Sequence, residues 1–394
     1  MHIKHLSLTN FRNYARLEID LQARVHLLQG LNAQGKTNLL EAIAYLSLTK
    51  SPLTSLDRQI MSWSADQEVL PHTHAQADFA RGGQDRTVEV TLMRAPSSDP
   101  DTAKLRKQYR LDGVPRRAMD TIGQLNTVLF LPQDIRLIDG SPSARRRYLD
   151  ALLCQIDLIY CRTLSRYNRT ITQRNALLKQ IREHSSHPSE LSYWDEQVIA
   201  LGSALLKRRL TLVDALGERA GEMQSALTNG QERLQLCYTA SIDPGGDLAV
   251  TVEMDAITKA YADQMRVVRR EEIARGMTVI GPHRDDMRCL VQDIDLTDYG
   301  SRGQQRTAAL ALKLSEVQIM EQETGEKPVL LLDDVVSELD RQRSHCLFDV
   351  IDQADQVLIT TTDLHFYDDH ILDTSLLYEI EKGQIRPLAN VKGA

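Results

Sequence analysis

The sequence predicts an α/β head built from both ends of the chain, with a mainly helical arm inserted between them. Three observations carry this. An apolar run, Val25-His26-Leu27-Leu28, leads into the octet Gly30-Leu31-Asn32-Ala33-Gln34-Gly35-Lys36-Thr37. Toward the other end, Val329-Leu330-Leu331-Leu332 closes on two carboxylates, Asp333 and Asp334. Between Ser143 and His187 there is neither glycine nor proline, and apolar residues recur every three to four positions. Apolar runs that end in a glycine loop or in acids suit buried parallel strands, whose carboxyl ends carry ligands. The glycine loop and the acids serve one chemistry only if they are adjacent, so both chain ends must share a sheet. The division that follows is 1–140 for the first part of the head, 141–276 for the arm and 277–394 for the second part.

From the N-terminus, residues 3–8 and 17–28 read as strands. The octet is the strand–loop–helix cradle G-x-x-x-x-G-K-[ST]. Its glycines let backbone N–H groups turn inward around phosphate oxygens, Lys36 reaches the β- and γ-phosphates, and Thr37 offers a hydroxyl to Mg²⁺. The helix expected over 38–48 adds the positive end of its dipole. Gly30, Leu31, Asn32, Ala33, Gln34, Gly35, Lys36 and Thr37 are therefore the candidate ATP contacts. Residues 87–92 alternate as a half-buried strand, 95–100 form a polar loop, and 108–114 read as a strand entering a turn.

In the arm, Leu149, Leu153, Ile156, Tyr160, Leu164, Tyr167, Ile171, Leu178 and Ile181 keep three-four spacing with one gap, at Arg174. They predict one long helix, which at 1.5 Å per residue spans roughly 65 Å. Ser185–Ser189 is a turn. A second helix shows Leu191, Trp194, Val198, Leu201, Leu205, Leu212 and Leu216 on its buried stripe, giving an antiparallel hairpin. A further helix covers 253–276, and the chain re-enters the head at 277–280.

In the C-terminal part, Asp333 is placed to hold Mg²⁺ and Asp334 to position or deprotonate the attacking water. Before them, Tyr299-Gly300-Ser301-Arg302-Gly303-Gln304-Gln305-Arg306 opens a helical stretch, 307–320. A Ser-x-Gly-Gln-Gln segment at a helix start offers a hydroxyl, backbone N–H groups and a helix dipole to an anion. It also fits a plain glycine turn with an N-cap.

Taken in this order, Ser301-Arg302-Gly303-Gln304-Gln305 resembles the signature segment of the ABC-type ATPases. In those proteins the signature of one subunit covers the γ-phosphate held by another. Ser337-Glu338-Leu339-Asp340 resembles their D-loop, and Gln133 stands where a Q-loop residue would. More narrowly, several blocks resemble the RecF family of bacterial recombinational-repair ATPases. They are Leu6 to Tyr14, Gly35 to Ala42, Ser141 to Asp150, Gly281 to Asp286, Gly300 to Arg306 and Asp333 to Asp340. The resemblance implies an ABC-type P-loop head that binds ATP and Mg²⁺ and forms an ATP-dependent homodimer. It implies double-stranded and gapped DNA as partner, with delivery of recombinase and mediator proteins such as RecR and RecO.

Under that resemblance Lys36, Gln133 and Asp334 are catalytic, and Thr37, Asp333 and Gln133 serve the metal. Ser301, Gly303 and Gln304 act on the neighbouring subunit's nucleotide. Arg302 or Arg306 either contacts γ-phosphate or anchors its helix. Arg12 and Asn13 approach the adenine or pack the loop, and His283 is structural or faces a dimer partner. Two departures from the broader ABC pattern point to slow turnover. Asp334 is one methylene shorter than the usual glutamate, and the strand-like Val357–Asp363 ends in threonines where many relatives place a histidine. A transporter ATPase subunit and a DNA-clamping scaffold with negligible turnover are the competing readings. The split head and the helical insert argue against the first.

The chain has 394 residues, 42% hydrophobic and 26% charged, an ordinary soluble composition long enough for two or three domains. No apolar run approaches the ~20 residues of a membrane span. Five scattered cysteines without C-x-x-C spacing, and no secretory leader, fit a cytoplasmic protein. A net charge of −7 does not advertise a nucleic-acid binder. Local basic clusters do: Arg145-Arg146-Arg147, Lys207-Arg208-Arg209, and Arg266, Arg269 and Arg270. The stretch 160–179 adds Arg162, Arg166, Arg169, Arg174 and Lys179 without an acid. Arg145, Arg146 and Arg147 are the candidate DNA contacts; each cluster also fits a solvated helix face.

Overall fold

The structure, a computed structural model, describes residues 1–63, 65, 70–94, 105–242 and 252–388. They form two compact units, 1–134 with 316–394, and 135–315. Residues 277–315, expected in the head, cluster with the helical insertion.

In the first unit, an antiparallel sheet runs in the order Tyr14–Asp20, His2–Phe11, His72–Arg81, Gln84–Arg94, Leu105–Leu111, Val114–Arg116. A second sheet has the order Gln384–Pro387, Ser375–Glu381, Val25–Gln29, Val357–Thr361, Val329–Asp333, Thr127–Phe130. Its last five strands are parallel neighbours, and Gln384–Pro387 closes it as an antiparallel edge. The N-terminal glycine-loop strand and the C-terminal acidic strand therefore do share a sheet, separated by Val357–Thr361.

Both inner strands are buried along their whole length, as the Leu/Val-rich runs require for a sheet covered on two faces. Helix Lys36–Leu48 lies in the main core cluster with Leu6, Leu8 and Phe79 of the antiparallel sheet and Leu28, Leu331 and Leu358 of the parallel one. Ten of its thirteen residues are buried, so it reads as apolar nearly all round. The stretch 17–28, expected as one strand, is two; the chain leaves the antiparallel sheet at Asp20 and enters the parallel one at Val25. The expected loop at 95–100 lies outside the described residues.

The second unit holds helices Pro142–Ile156, Leu158–Arg182, Leu191–Leu227 and Met254–Arg275, the first turns of Arg302–Thr324, and a small antiparallel sheet of Leu234–Thr239, Asp286–Val291 and Ile294–Asp295. The single 65 Å helix expected from the spacing is two helices. Asp157 adopts an extended backbone, φ −138° and ψ 98°, and its carboxylate accepts from the Tyr160 N–H, capping the second helix. Leu177, Leu178 and Ile181 pack on Leu191 and Trp194 across the 183–190 turn, as the hairpin reading requires.

Candidate nucleotide-binding site

The glycine loop leaves strand Val25–Gln29 and closes on the first turn of helix Lys36–Leu48. Two of its glycines have steric reasons to be glycine. A Cβ on Gly30 would lie 2.5 Å from the Ile380 carbonyl oxygen. Gly35 has φ 118°, and a Cβ there would strike the Asn13 amide at 2.5 Å. Asn13 is a strut of the loop: its Nδ2 donates to the Gln34 carbonyl at 2.8 Å, and its Oδ1 accepts from Asn38 Nδ2 at 2.8 Å. The Tyr14 hydroxyl donates to the Gly35 carbonyl at 3.0 Å.

From the chain's other end, the turn between the last two strands grips the same residue. The Gly383 N–H donates to the Gln34 carbonyl at 3.0 Å, and the Lys382 N–H to Gln34 Oε1 at 2.7 Å. Sequence reasoning did not single out this turn, although Lys382-Gly383 is a turn signal. Arg12 spends its guanidinium inside the protein. It pairs with buried Glu41 through Nε at 2.8 Å and Nη2 at 2.7 Å, and donates to the Gln59 carbonyl. Of the two readings for Arg12 and Asn13, the loop-packing one matches these contacts.

Lys36 is buried, and its ammonium donates to the Gly30 and Leu31 carbonyls at 2.6 and 3.1 Å. Burial lowers its pKa, opposed by the charges of Asp334 and Asp333. Thr37 Oγ1 donates to the Asp333 carboxylate, 2.9 and 2.8 Å from its two oxygens. Thr360 Oγ1 donates to Asp333 Oδ1 at 2.7 Å. Burial raises the Asp333 pKa, and these two hydroxyls and Lys36 pull it back. Thr360 belongs to the threonine segment that departs from the broader ABC pattern, and it supports the acidic strand directly.

Asp334 sits at φ 51°, in the left-handed region that non-glycine residues rarely adopt. Its N–H donates to the Thr360 carbonyl at 3.1 Å, and no described group satisfies its buried Oδ1. Gln133 is exposed in the turn Pro132–Ile135, just after Thr127–Phe130, the parallel neighbour of the acidic strand.

In the second unit, Ser301 opens helix Arg302–Thr324. Its hydroxyl accepts from the Gln304 N–H at 3.2 Å, and Gln304 Oε1 accepts from the Ser301 N–H at 3.0 Å, a reciprocal capping box. Ser301, Arg302 and Gly303 are exposed. A Cβ on Gly303 would meet only Ser301 Oγ, at 3.9 Å, so nothing described in this chain demands glycine there. Arg302 ion-pairs with Asp139 at 2.7 Å, which matches the anchoring reading. His283 is half-buried, with Nδ1 2.8 Å from the Tyr167 hydroxyl; burial lowers its pKa to about 4. That fits the structural reading.

The basic clusters divide. Arg145, proposed as a DNA contact, is 4% exposed; its guanidinium donates to both Asp286 oxygens at 2.7 and 2.8 Å and to the Ile138 and Gly140 carbonyls. It is a structural cation. Arg146 is half-buried and donates to the Asp285 carbonyl, and Arg147 is exposed. Arg174 is fully buried against Asp195 and Glu272. Lys207 and Arg208 are bound to the Val252 carbonyl and Asp157, and Arg209 is buried. Three-four spacing concealed these buried arginines, because an arginine on an apolar stripe looks the same in sequence whether it faces water or an acid.

A strand–glycine loop–helix cradle whose threonine meets an acidic strand of the same sheet, with a split head and helical insertion, defines an ATP-hydrolysing head of the ABC and SMC class. Comparison with known proteins narrows this. Residues 2–382 match the RecF/RecN/SMC N-terminal domain family model. A DNA replication and repair protein RecF from Chloroflexus aurantiacus is 43% identical over 98% of this chain and 99% of its own length. The one from Halalkalibacterium halodurans is 35% identical at similar coverage. A solved structure of the recombination mediator protein RecF with ATP, in the RecFOR pathway, has a TM-score of 0.86 at 31% identity and 98% of each chain. An SMC head domain from Pyrococcus furiosus, at 14% identity and TM-score 0.52, shares the fold. The chain belongs to the RecF family of DNA replication and repair proteins.

Proposed function

We propose that this chain is a nucleotide-switched DNA clamp, in which ATP joins two copies around DNA at single-strand gaps and slow hydrolysis releases them. The observation that carries the switch is the meeting of Thr37 with Asp333. It joins the loop from one chain end to the acid from the other, the arrangement of a phosphate cradle beside a metal-binding carboxylate. In this reading Lys36 and the backbone of 30–35 hold the phosphates. Thr37, Asp333 and Gln133 would hold Mg²⁺, which supplies charge neutralisation between the β- and γ-phosphates. The unsatisfied Oδ1 of Asp334 is the group available to accept a proton from the attacking water.

Exposed Gly303, whose Cβ position meets only the Ser301 hydroxyl, suits a signature that another copy's nucleotide approaches. Ser301 and Gln304 would line that composite site. DNA would follow exposed Arg162, Arg166 and Arg169, which fall on one face of the acid-free helix Leu158–Arg182, with Arg147. Recombinase delivery through mediators such as RecR and RecO, in the cytoplasm, completes the reading; the solved relative, a recombination mediator in the RecFOR pathway, supports it.

A phosphate-release assay with and without gapped DNA tests the switch, with Asp334→Asn as the variant. The expected result is slow release accelerated by DNA in the wild type. The variant should bind ATP normally and turn over at least tenfold more slowly, because an amide cannot take the proton. Unaltered turnover in the variant contradicts the role given to Asp334. Negligible turnover in the wild type with DNA would favour the scaffold reading.

A further inference from the structure

Within the helical unit a cleft of about 210 Å³ opens between the starts of helices Pro142–Ile156 and Leu158–Arg182, lined among others by Arg146, Arg147, Asp150, Asn168, Arg209 and His283. Its charges do not balance. Arg209 is spent: its guanidinium donates to the Tyr160 hydroxyl at 2.9 Å, the Pro282 carbonyl at 2.6 Å and Asp150 at 2.7 Å. Asp150, the one carboxylate in the wall, also accepts from Tyr160. His283 is held by the Tyr167 hydroxyl and is neutral near pH 7. Arg146 and Arg147 remain. Neither forms an ion pair among the described residues; Arg146 donates through Nη1 to the Asp285 carbonyl, and Arg147 stands in the open. Arg146 is half-buried; burial and then the Arg209 cation lower its pKa, against the charges of Asp286 and Asp285, which raise it. Two guanidinium groups that no carboxylate pairs directly keep N–H donors that an anion in the cleft can take.

We propose that this cleft binds one phosphate group. A guanidinium fork matches the oxygens of a phosphate, and the Asn168 amide adds donors beside it. The volume lies below the ~300 Å³ at which sites for whole small ligands begin, so it takes a phosphate group and not a nucleotide. Asn168 shares its helix with exposed Arg166 and Arg169, so the source of the phosphate is the nucleic-acid backbone. That last step rests on the DNA reading proposed above.

The test has two arms on wild type, Arg147→Ala and Arg146→Gln. Calorimetry at low ionic strength uses inorganic phosphate as probe. Fluorescence anisotropy of a short duplex, with ATP across a salt series, reads the backbone. Melting temperature checks the fold of each variant, and exposed Arg147 gives the variant least able to disturb it. The expected result is phosphate heat in the wild type, lost in both variants, with the log–log salt slope shallower by about one in each. Phosphate heat lost in the variants with an unaltered slope upholds the cleft and overturns the backbone as its source. No phosphate heat in the wild type, with an unaltered slope in the variants, overturns the cleft. A wild type that binds phosphate but no DNA sinks the DNA reading alone.

Discussion

Lys36 holds its ammonium on two carbonyls of its own loop, so ATP must exchange those contacts for stronger, charged ones. Lys36→Ala removes a charge-assisted contact of roughly 1.5–3 kcal/mol, so ATP affinity should fall about 10- to 150-fold. Isothermal titration with ATP and Mg²⁺ reads this directly; unchanged affinity would remove the loop from the nucleotide site. At the same scale, burial holds His26 and His283 at a pKa of about 4, against an ordinary 6.5. The unfolded chain then takes up protons that the folded chain refuses. The stability conferred by each is complete above pH 6.5 and is lost as pH falls toward 4, by up to about 3 kcal/mol each. Thermal melts from about pH 7 to pH 4.5 should show the decline, with a flatter curve for His283→Asn; parallel curves would contradict the assignment for His283. The octet was legible because the residue types that cradle a phosphate fall within eight consecutive positions. Thr360 and Gly383 were not, since only the sheet order brings a threonine of the strand between the loop and the acids, and a turn near the C-terminus, onto the site.

Elements show where a local pattern misleads. The apolar spacing from Leu149 to Ile181 runs through Asp157 without a fault, yet the helix breaks there because its carboxylate caps the next one. Spacing records which face is buried, and two successive helices can share one buried face. Arg145 gives the same lesson in charge. It lies in a run of three arginines, but it faces Asp286 of strand Asp286–Val291 across the unit. Arg145→Ala should therefore destabilise the helical unit by about 3–5 kcal/mol, leaving Asp286 and two carbonyls without their donor. Denaturant unfolding tests this. A variant with native stability and weakened DNA binding would restore Arg145 to the DNA surface. The buried parallel strands, by contrast, were plain from composition alone, since only a sheet covered on both faces tolerates runs such as Val329–Leu332.

For the whole molecule, the proposed function couples a site built from both chain ends to a dimer that the nucleotide would assemble. The sheet that unites Val25–Gln29 with Val329–Asp333 explains why the loop and the acids stand far apart in sequence and together in space. In the proposed clamp, a chain with net charge −7 would gain a DNA-holding surface by aligning the exposed cations of two copies. Ser301 is exposed at the start of its helix and its hydroxyl serves only the local capping box, so an arginine there removes the helix cap, at about 1 kcal/mol, and breaks no contact with another element among the described residues. Analytical ultracentrifugation of the wild type and of Ser301→Arg, each with ATP and without nucleotide, tests the central claim most directly. The account predicts a wild-type monomer without nucleotide, a dimer with ATP, and a Ser301→Arg chain that binds ATP yet stays monomeric. A wild type that remains monomeric at saturating ATP, or a Ser301→Arg chain that dimerises as well as the wild type, would contradict it.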